Sequence, residues 1–565
     1  MSTDHDDQLS AIRSSEHEAM AEIVRLPLGK RIGAYTKRSG PGWLQGAITL
    51  GGGSLAGALY LGVIAGNSMM WLQPLAMVLG VIMLSAIAFV TLSTGARPFK
   101  AINDHVSPVL GWAWIIATLM ANIVWCMPQF ALGQAAVQQN LLPSLSSSTA
   151  GVAICGVLFA VAWAINFFYE SGNAGIKLFE AILKIMVGIV VLSFFGVVIA
   201  MAAGGALDWG SILGGFIPDF SVLTRPADTF ADAIAATGSF ADFWSAKIIA
   251  DQRDIMMTAF GTAVGINMTF LLPYSMLKKG WGKNHRGLAI FDLSIGLIVP
   301  FVLATSCVVI AAASQFHASS ADVLDAAGKP VPAMVGAFNG VADARLKAEL
   351  GDAFADLSAE QVSAKRDALP EADRQLAAMM VKRDNFNLAA ALVPLTGPKV
   401  GQIVFGVGVL GMALSTIIIL MLINGFTLCE MFNKPGNKFI HMFGATIAGV
   451  GGFAGLFYLW SDSNAKAALA VPTSVIGGAM IPIAYFTFLL LMNSNSLLGA
   501  ARPRGRSAFI WNSLMALATG VATAGSIWVL MSKGTAGKTG IGILAALFVL
   551  GLLGFISKGK KHAAQ

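Results

Sequence analysis

The sequence predicts an all-α polytopic membrane protein with about twelve transmembrane helices. Hydrophobic residues make up 56% of the 565 positions and charged residues only 12%, a balance that water-soluble domains do not show. Apolar stretches of about 20 residues recur along the chain, and three consecutive glycines lie inside the first of them. The composition therefore places most of the chain in a bilayer, and the glycines mark the segment around which the rest is organised.

Twelve apolar stretches are long enough to cross a membrane. The loops that follow even-numbered stretches are basic, with Arg97 and Lys100 after the second and Lys278 and Lys279 after the sixth. By the positive-inside rule both termini lie in the cytoplasm, and the plasma (inner) membrane is the expected location. The predicted bounds are 42–66, 72–93, 109–138, 151–169, 177–203, 256–277, 287–314, 400–429, 439–460, 469–492, 508–531 and 540–556.

The polar segments divide the chain into parts. In the insertion at 315–399, Ser358 and Gln361 match a helix capping box, so a small helical cap over the outer mouth is expected. In the tail, residues 19–35 form either an amphipathic helix on the membrane surface or a disordered segment. The parts are a cytoplasmic tail at 1–39, a first five-span repeat at 40–203, an outer loop at 204–254, a second repeat at 255–492 that contains the insertion, and accessory spans with a cytoplasmic C-terminus at 493–565.

The first span contains Gly51, Gly52, Gly53 and Ser54 near its middle, where helix propensity is poorest. A helix that breaks in hydrocarbon exposes backbone polar groups, which is tolerated only against other helices, a ligand or a water-filled cavity. The segment is therefore interpreted as one wall of a binding site at membrane depth. The alternative is a glycine-rich face on which another helix packs closely.

The sixth span shows a second interruption, because Gly265, Asn267, Thr269 and Pro273 lie within an otherwise apolar stretch. Two broken helices five spans apart predict two inverted five-helix repeats with a site between them, an arrangement typical of secondary transporters. A simple proline kink is the alternative for this element taken alone. No catalytic dyad, phosphate loop or metal-ligand cluster is visible, so neither an enzyme nor a cofactor is predicted.

Four stretches of the chain match one pattern of membrane helices: GPGWLQGAITLGGGSLAG and residues 289–316, 411–432 and 472–499. In that order they resemble the first, seventh and eighth helices, and the tenth helix with the loop after it, of the Nramp family of divalent-metal transporters. The resemblance implies a LeuT-like fold of inverted repeats that works by alternating access.

The residues that the family uses for chemistry are replaced in this chain. The metal-binding Asp-Pro-Gly-Asn falls on Gly51 to Ser54. The sixth-helix Met-Pro-His falls on Gly265 to Asn267 or on Asn267 to Thr269, which removes the thioether and the histidine from the metal-facing position. The family's proton-relay acids fall near Asn122 and Gln129, and its tenth-helix glutamine falls near Ser474. The resemblance therefore implies a site that keeps the family's backbone arrangement but lacks its charged and metal-ligating side chains.

An uncharged site favours a cation that keeps its water, because dehydrating a divalent ion without a carboxylate is prohibitive. The predicted substrate is hydrated Mg²⁺ or Mn²⁺, carried without proton coupling. Loss of the thioether points toward magnesium. The predicted substrate-binding residues are Gly51, Gly52, Gly53, Ser54, Gly265, Asn267, Thr269, Tyr274 and Ser474, with Gly51, Ser54 and Asn267 reaching the metal through water and with Asn122 and Gln129 lining the path.

Two alternatives remain open at the level of the sequence. Three successive glycines can present backbone N–H groups as an anion nest, which would hold the carboxylate of an amino acid or another small organic solute beside Phe270 and Tyr274. A receptor or sensor that keeps the fold without transporting is the other alternative. The predicted partners are the lipid bilayer and either a small inorganic cation or a small organic solute. No nucleic-acid binding is inferred.

Overall fold

The computed structural model describes residues 18–459, 470–531 and 534–563. Within these ranges every regular element is a helix, apart from one isolated bridge between Leu324 and Pro330. The spans are α1 (Pro41–Thr49 and Gly52–Ala65), α2 (Leu72–Thr94), α3 (Pro108–Ala135), α4 (Ser148–Tyr169), α5 (Asn173–Ala203), α6 (Ala241–Ala263 and Ile266–Lys278), α7 (Arg286–Leu293 and Val299–Phe316), α8 (Phe405–Met431), α9 (Lys438–Ala454), α10 (Ala470–Met492), α11 (Gly505–Met531) and α12 (Gly534–Ala563).

Shorter helices lie between and beside these spans. A π-helical turn, Ser294–Ile298, joins the two halves of α7. Further π-helical turns are Ala136–Leu141, Lys399–Val404 and Gly455–Leu459. The shorter α-helices are Leu28–Arg38 before α1, Pro98–His105 between α2 and α3, Trp209–Gly214 and Ala231–Ala235 before α6, Val335–Leu350, Ala359–Asp367, Glu371–Met379 and Asn385–Thr396 between α7 and α8, and Asn495–Leu498 after α10.

The number of spans agrees with the sequence. In the part of the chain that the structure describes, ten helices are long and apolar enough to cross a membrane. Two bent pairs, the halves of α1 and the end of α10 with the short helix after it, raise the number to twelve. The predicted fold class, an integral membrane protein of helical spans with interrupted first and sixth helices, is confirmed.

The break in α1 occupies Leu50 and Gly51, and the chain bends there by 54°. Leu50 has ψ 69° and Gly51 is extended, so neither continues the helix. A side chain at Gly51 would not fit, because its Cβ would lie 2.6 Å from Thr416 Oγ1 in α8. The prediction of a break through Ser54 is wrong in its extent. Gly52 begins the second half of α1, since its N–H has a side-chain acceptor and the helix can start directly.

The break in α6 is equally short. Val264 and Gly265 are both extended, and Gly265 caps the second half of the helix. The predicted interruption from Gly265 to Pro273 is therefore too long, because Asn267, Thr269 and Pro273 all lie within regular helix. The polar side chains at Asn267 and Thr269 bond to nearby backbone groups, so they do not interrupt the helix.

The first half of α6 begins earlier than the sequence indicated. The predicted outer loop ended at residue 254, whereas α6 starts at Ala241. Trp244 is fully buried, and Asp251 accepts a hydrogen bond from the Tyr60 hydroxyl of α1 at 2.9 Å. Because this end of α6 packs against other parts of the protein, it can carry charged residues.

The insertion between α7 and α8 is helical, as predicted. Ser358 and Gln361 form the expected capping box, with the Ser358 N–H donating to Gln361 Oε1 at 2.8 Å. The insertion is anchored to α6 by Asp373, which accepts hydrogen bonds from Trp244 Nε1 at 2.6 Å and from Arg345 Nε at 3.0 Å. The insertion is thus joined to the first half of α6 through buried polar groups.

Candidate functional site

The two helix breaks face α3 and α8 across a cavity of about 50 Å³, which has room for a few water molecules. The cavity lies beside the unwound backbone of α1 and α6, the position where discontinuous helices hold substrate in transporters of this architecture. Its lining residues are Ile48, Thr49, Gly51, Gly53 and Ser54 from α1, Trp125, Pro128 and Gln129 from α3, Gly261, Thr262, Gly265, Asn267 and Met268 from α6, and Thr416 and Leu420 from α8.

Hydrogen bonds across the α1 break satisfy several backbone groups that the break frees. The Gly51 N–H donates to the Thr49 carbonyl at 2.9 Å, and the Gly52 N–H donates to Gln129 Oε1 at 2.9 Å. The Ser54 hydroxyl donates to the Thr49 carbonyl at 2.6 Å. Gln129 therefore lines the cavity and caps the second half of α1 with its amide oxygen.

Asn267 presents a hydrogen-bond donor at the α6 break. Its Oδ1 accepts the Met268 N–H at 2.9 Å, which fixes the orientation of the amide. Its Nδ2 is buried without a hydrogen-bond partner among the described residues, and the whole residue is 1% exposed. The free polar group of Asn267 is thus an N–H.

Four hydroxyl groups line the cavity, and those of Thr49, Ser54 and Thr416 have already committed their hydrogens, as has that of Thr262, which donates to the Thr258 carbonyl at 2.9 Å outside this group of three. Thr416 Oγ1 donates to the Met412 carbonyl at 2.8 Å. Thr49 Oγ1 lies 3.1 Å from Met268 Sδ and 3.4 Å from the Ala263 carbonyl. The Ser54 hydroxyl is engaged as described above. Because a hydroxyl carries one hydrogen and two lone pairs, all three oxygens can offer only acceptor positions to a ligand.

The helix ends contribute opposite partial charges to the cavity. The first halves of α1 and α6 end there at Thr49 and Ala263, so their last carbonyl groups carry the negative end of the helix dipole. The second halves start there at Gly52 and Ile266 and bring the positive ends. The site is polarised without holding any formal charge.

Met268 brings a thioether to the border of the site, although the sequence places none at the family's metal-facing position. Its sulfur is buried, contacts the Thr49 hydroxyl and lines the cavity. Within the described residues, no group of three or more histidine, cysteine, aspartate or glutamate side chains could hold a metal ion. The four cysteines are free, buried and outside the cavity. One soft atom is therefore present, and carboxylates are absent from the cavity lining.

Three residues proposed from the sequence lie outside the cavity. Thr269 Oγ1 donates to the Ile266 carbonyl and accepts a hydrogen bond from Trp114 Nε1 at 3.0 Å. The Tyr274 hydroxyl accepts the Phe99 N–H at 3.2 Å near the end of α2. Asn122 Nδ2 donates to Asn424 Oδ1 at 3.2 Å, an interhelical hydrogen bond between α3 and α8. These side chains serve packing, because each is buried against a neighbouring helix.

The remaining residues predicted from the sequence are sorted by whether they line the cavity. Gly51, Gly53, Ser54, Gly265 and Asn267 come together at the cavity with Gln129, and Gly52 adjoins them. The side chain of Ser474 lies outside the described part of the chain. Thr49, Met268 and Thr416 were missed. The sequence did contain a signal for Thr416, because Ser415 and Thr416 are adjacent hydroxyl residues in the middle of an apolar span. Trp125, which also lines the cavity, has no comparable signal in the sequence.

Both ends of α1 are held by polar contacts on either side of the cavity. On one side the buried Asp292 of α7 accepts the Gly40 N–H at 3.0 Å and the Gly42 N–H at 2.7 Å. On the other side Tyr60 bonds to Asp251, which also pairs with Lys247 at 2.8 Å. These contacts tie α1 to α7 at one end and to α6 at the other.

Comparison with known proteins agrees with this arrangement. The family model described as "Natural resistance-associated macrophage protein-like" (Nramp) matches residues 42–338. "Metal transporter Nramp2" of Populus trichocarpa is 28% identical over 160 residues, an alignment that spans 28% of this chain and 28% of that relative.

Solved structures support the fold. A manganese transporter of Eremococcus coleocola in complex with an aromatic bis-isothiourea substituted compound aligns with a TM-score of 0.60 and 14% identity over 95% of this chain and 97% of that one. A mutant of the same transporter aligns with a TM-score of 0.54 and 14% identity over the same shares. Since the family model covers just over half of the sequence, this chain belongs to the Nramp family.

Proposed function

We propose that this protein is an alternating-access transporter for a hydrated divalent cation, Mg²⁺ or Mn²⁺, that keeps several of its water ligands in the central site. Family membership supports transport and argues against an enzyme. The relative and the solved structure named above are a metal transporter and a manganese transporter, which supports a divalent cation as the substrate class.

The observation that carries the proposal is the set of acceptor oxygens in a cavity without carboxylates. A water molecule bound to a cation directs its hydrogens outward, so the groups that hold a hydrated ion must accept hydrogen bonds. The hydroxyl oxygens of Thr49, Ser54 and Thr416 are suited to this role because their own hydrogens are committed. A dehydrated divalent ion would give up its hydration with no carboxylate in the cavity lining to compensate.

Met268 widens the choice of metal. Thioethers bind softer transition metals better than they bind Mg²⁺, so the expectation that favoured magnesium over manganese loses one of its arguments. The sulfur already contacts the Thr49 hydroxyl at 3.1 Å. The readiness of each ion to keep its water therefore remains the main determinant of which metal is bound. We therefore include both ions.

Transport is proposed to be independent of protons. No described residue that lines the cavity is a histidine, aspartate, glutamate or lysine. Gln129 and Asn122, at the expected proton-relay positions, are amides engaged in hydrogen bonds. In proteoliposomes with a pH-sensitive dye inside, cation addition should leave the lumenal pH unchanged, and acidification that tracks uptake would contradict this part of the proposal.

A small organic anion is the second candidate, because one observation favours it. The unpartnered Asn267 Nδ2 and the helix start at Gly52 are donors, which suit a carboxylate better than a hydrated cation. The cavity of about 50 Å³ is several times smaller than pockets for organic molecules, and it is also too small for a complete hydration shell, so its volume does not separate the two candidates. Isothermal titration with Mg²⁺, Mn²⁺ and a panel of amino acids separates the two candidates. Amino-acid binding that Gly52→Asp abolishes would favour the second.

Thr416→Val tests the acceptor argument directly. Valine keeps the shape of threonine and removes the lone pairs, so uptake of Mg²⁺ at subsaturating concentration should fall about tenfold, the effect of one hydrogen bond. Thr416→Ser keeps the oxygen and should retain most of the activity. The measurement is initial uptake into proteoliposomes. Equal uptake by the valine and serine variants would remove Thr416 from the site.

A further inference from the structure

The helix Leu28–Arg38 precedes α1 and has two chemically distinct faces. Leu28 and Ile32 are four residues apart, so they share one face, and they are 63% and 44% exposed. Lys30 and Lys37 are exposed on the opposite face, and Arg31 lies at the flank. An apolar stripe bordered by basic residues is the pattern of a helix that lies in the membrane interface.

The structure holds this helix at the start of the first span. Tyr35, on the apolar side, is buried against Phe291 of α7, with ring centroids 5.6 Å apart. The chain leaving the helix is fixed by Lys184 Nζ, which donates to the Ser39 carbonyl at 2.6 Å, and by Lys279 Nζ, which donates to the Arg38 carbonyl at 3.3 Å. Two residues separate the helix from Pro41, so it must remain close to the bilayer surface that α1 enters.

We infer that Leu28–Arg38 docks on the predicted cytoplasmic leaflet, with Leu28 and Ile32 among the acyl chains and the basic residues on anionic phospholipid headgroups. Charge complementarity selects this occupant. Each lysine or arginine near an anionic surface favours binding roughly fivefold. A protein partner would have to reach a face that already lies at the membrane surface.

Site-directed labelling tests this inference without relying on transport. The described cysteines are all buried, so an environment-sensitive fluorophore can be placed on Ile32→Cys, with Lys30→Cys as the matched control on the opposite face. The full-length protein is reconstituted in nanodiscs of phosphatidylcholine alone or with one lipid in four replaced by phosphatidylglycerol. Quenching by lipids with spin labels on their acyl chains reports insertion.

The label at position 32 should be quenched several-fold more than the label at position 30, and only when phosphatidylglycerol is present. A triple variant, Lys30→Gln with Arg31→Gln and Lys37→Gln, should weaken binding to the anionic surface roughly fivefold for each charge removed. Quenching at position 32 should then fall to the control level. High salt should act in the same direction. Equal quenching at both positions would overturn the inference, as would quenching that ignores lipid charge. Neither result would bear on the proposed cation site.

Discussion

Gly51→Ala is expected to lower cation uptake by about 10- to 100-fold, because overpacking of a tight helix contact costs about 1–3 kcal/mol. The new Cβ would lie 2.6 Å from Thr416 Oγ1 and 3.2 Å from Thr416 Cγ2, so either the Thr416 side chain changes rotamer or α1 and α8 separate at the cavity. Either movement displaces at least one of the acceptor oxygens that the proposal assigns to the ion. Initial uptake and thermal unfolding in detergent are the measurements.

Two variants show whether the effect is local. Gly57→Ala lies in the same helix, and its Cβ would make an ordinary contact of 3.4 Å with Thr258, so uptake and stability should stay near the parent values. Gly51→Ala combined with Thr416→Ala removes the colliding atoms. The double variant should regain thermal stability without regaining uptake. Full uptake in Gly51→Ala itself would show that the break at Gly51 does not shape the site.

Asp373→Ala is expected to destabilise the helical cap formed by the insertion between α7 and α8 by about 3–5 kcal/mol, the usual effect of removing one partner from a buried ion pair. The Arg345 and Asp373 side chains are 2% and 1% exposed, so the guanidinium would lose its buried carboxylate and Trp244 Nε1 would lose its acceptor. Hydrogen exchange of residues 335–379 should accelerate strongly, and limited proteolysis should cut the insertion.

Glu349→Ala is the matched control for the cap. Glu349 pairs with the same Arg345 at 2.8 Å, but its side chain is 46% exposed, so its removal should cost less than about 1 kcal/mol. If the two variants had equal effects, the buried contact between the insertion and α6 would not be what anchors the cap. Uptake by the Asp373 variant then shows whether the cap serves transport or only stability.

The sequence predicted the spans and the two broken helices because their signals are local. Hydrophobic length defines a span, and adjacent glycines or a cluster of polar residues mark an interruption. The extents of the breaks were wrong because they depend on tertiary partners. Gln129 lies far from Gly52 in the chain, yet its amide oxygen allows the helix to start at Gly52 rather than beyond Ser54.

The site was predictable only in part, for the same reason. Gly51, Ser54 and Asn267 were found because Gly51 lies at the first break and the other two lie in the first helical turn after a break. Thr269 and Tyr274 were misplaced because helix rotation turns their side chains toward Trp114 and Phe99. Thr416 and Met268 were missed because only the packing of α8 and α6 against α1 brings them to the cavity. Similarity to a family's motif cannot supply such contacts when the motif residues have changed.

The central claim is that an uncharged cavity between α1 and α6 holds a divalent cation through its water. The most direct measurement is the anomalous diffraction signal of Mn²⁺ in crystals of the full-length protein grown with the ion. We predict a peak beside Thr49 and Thr416 whose nearest protein oxygen is about 4 Å away, because a water molecule lies between them. A peak ligated by protein atoms at about 2.1 Å would contradict the account, as would a cavity without metal under conditions in which the ion is transported.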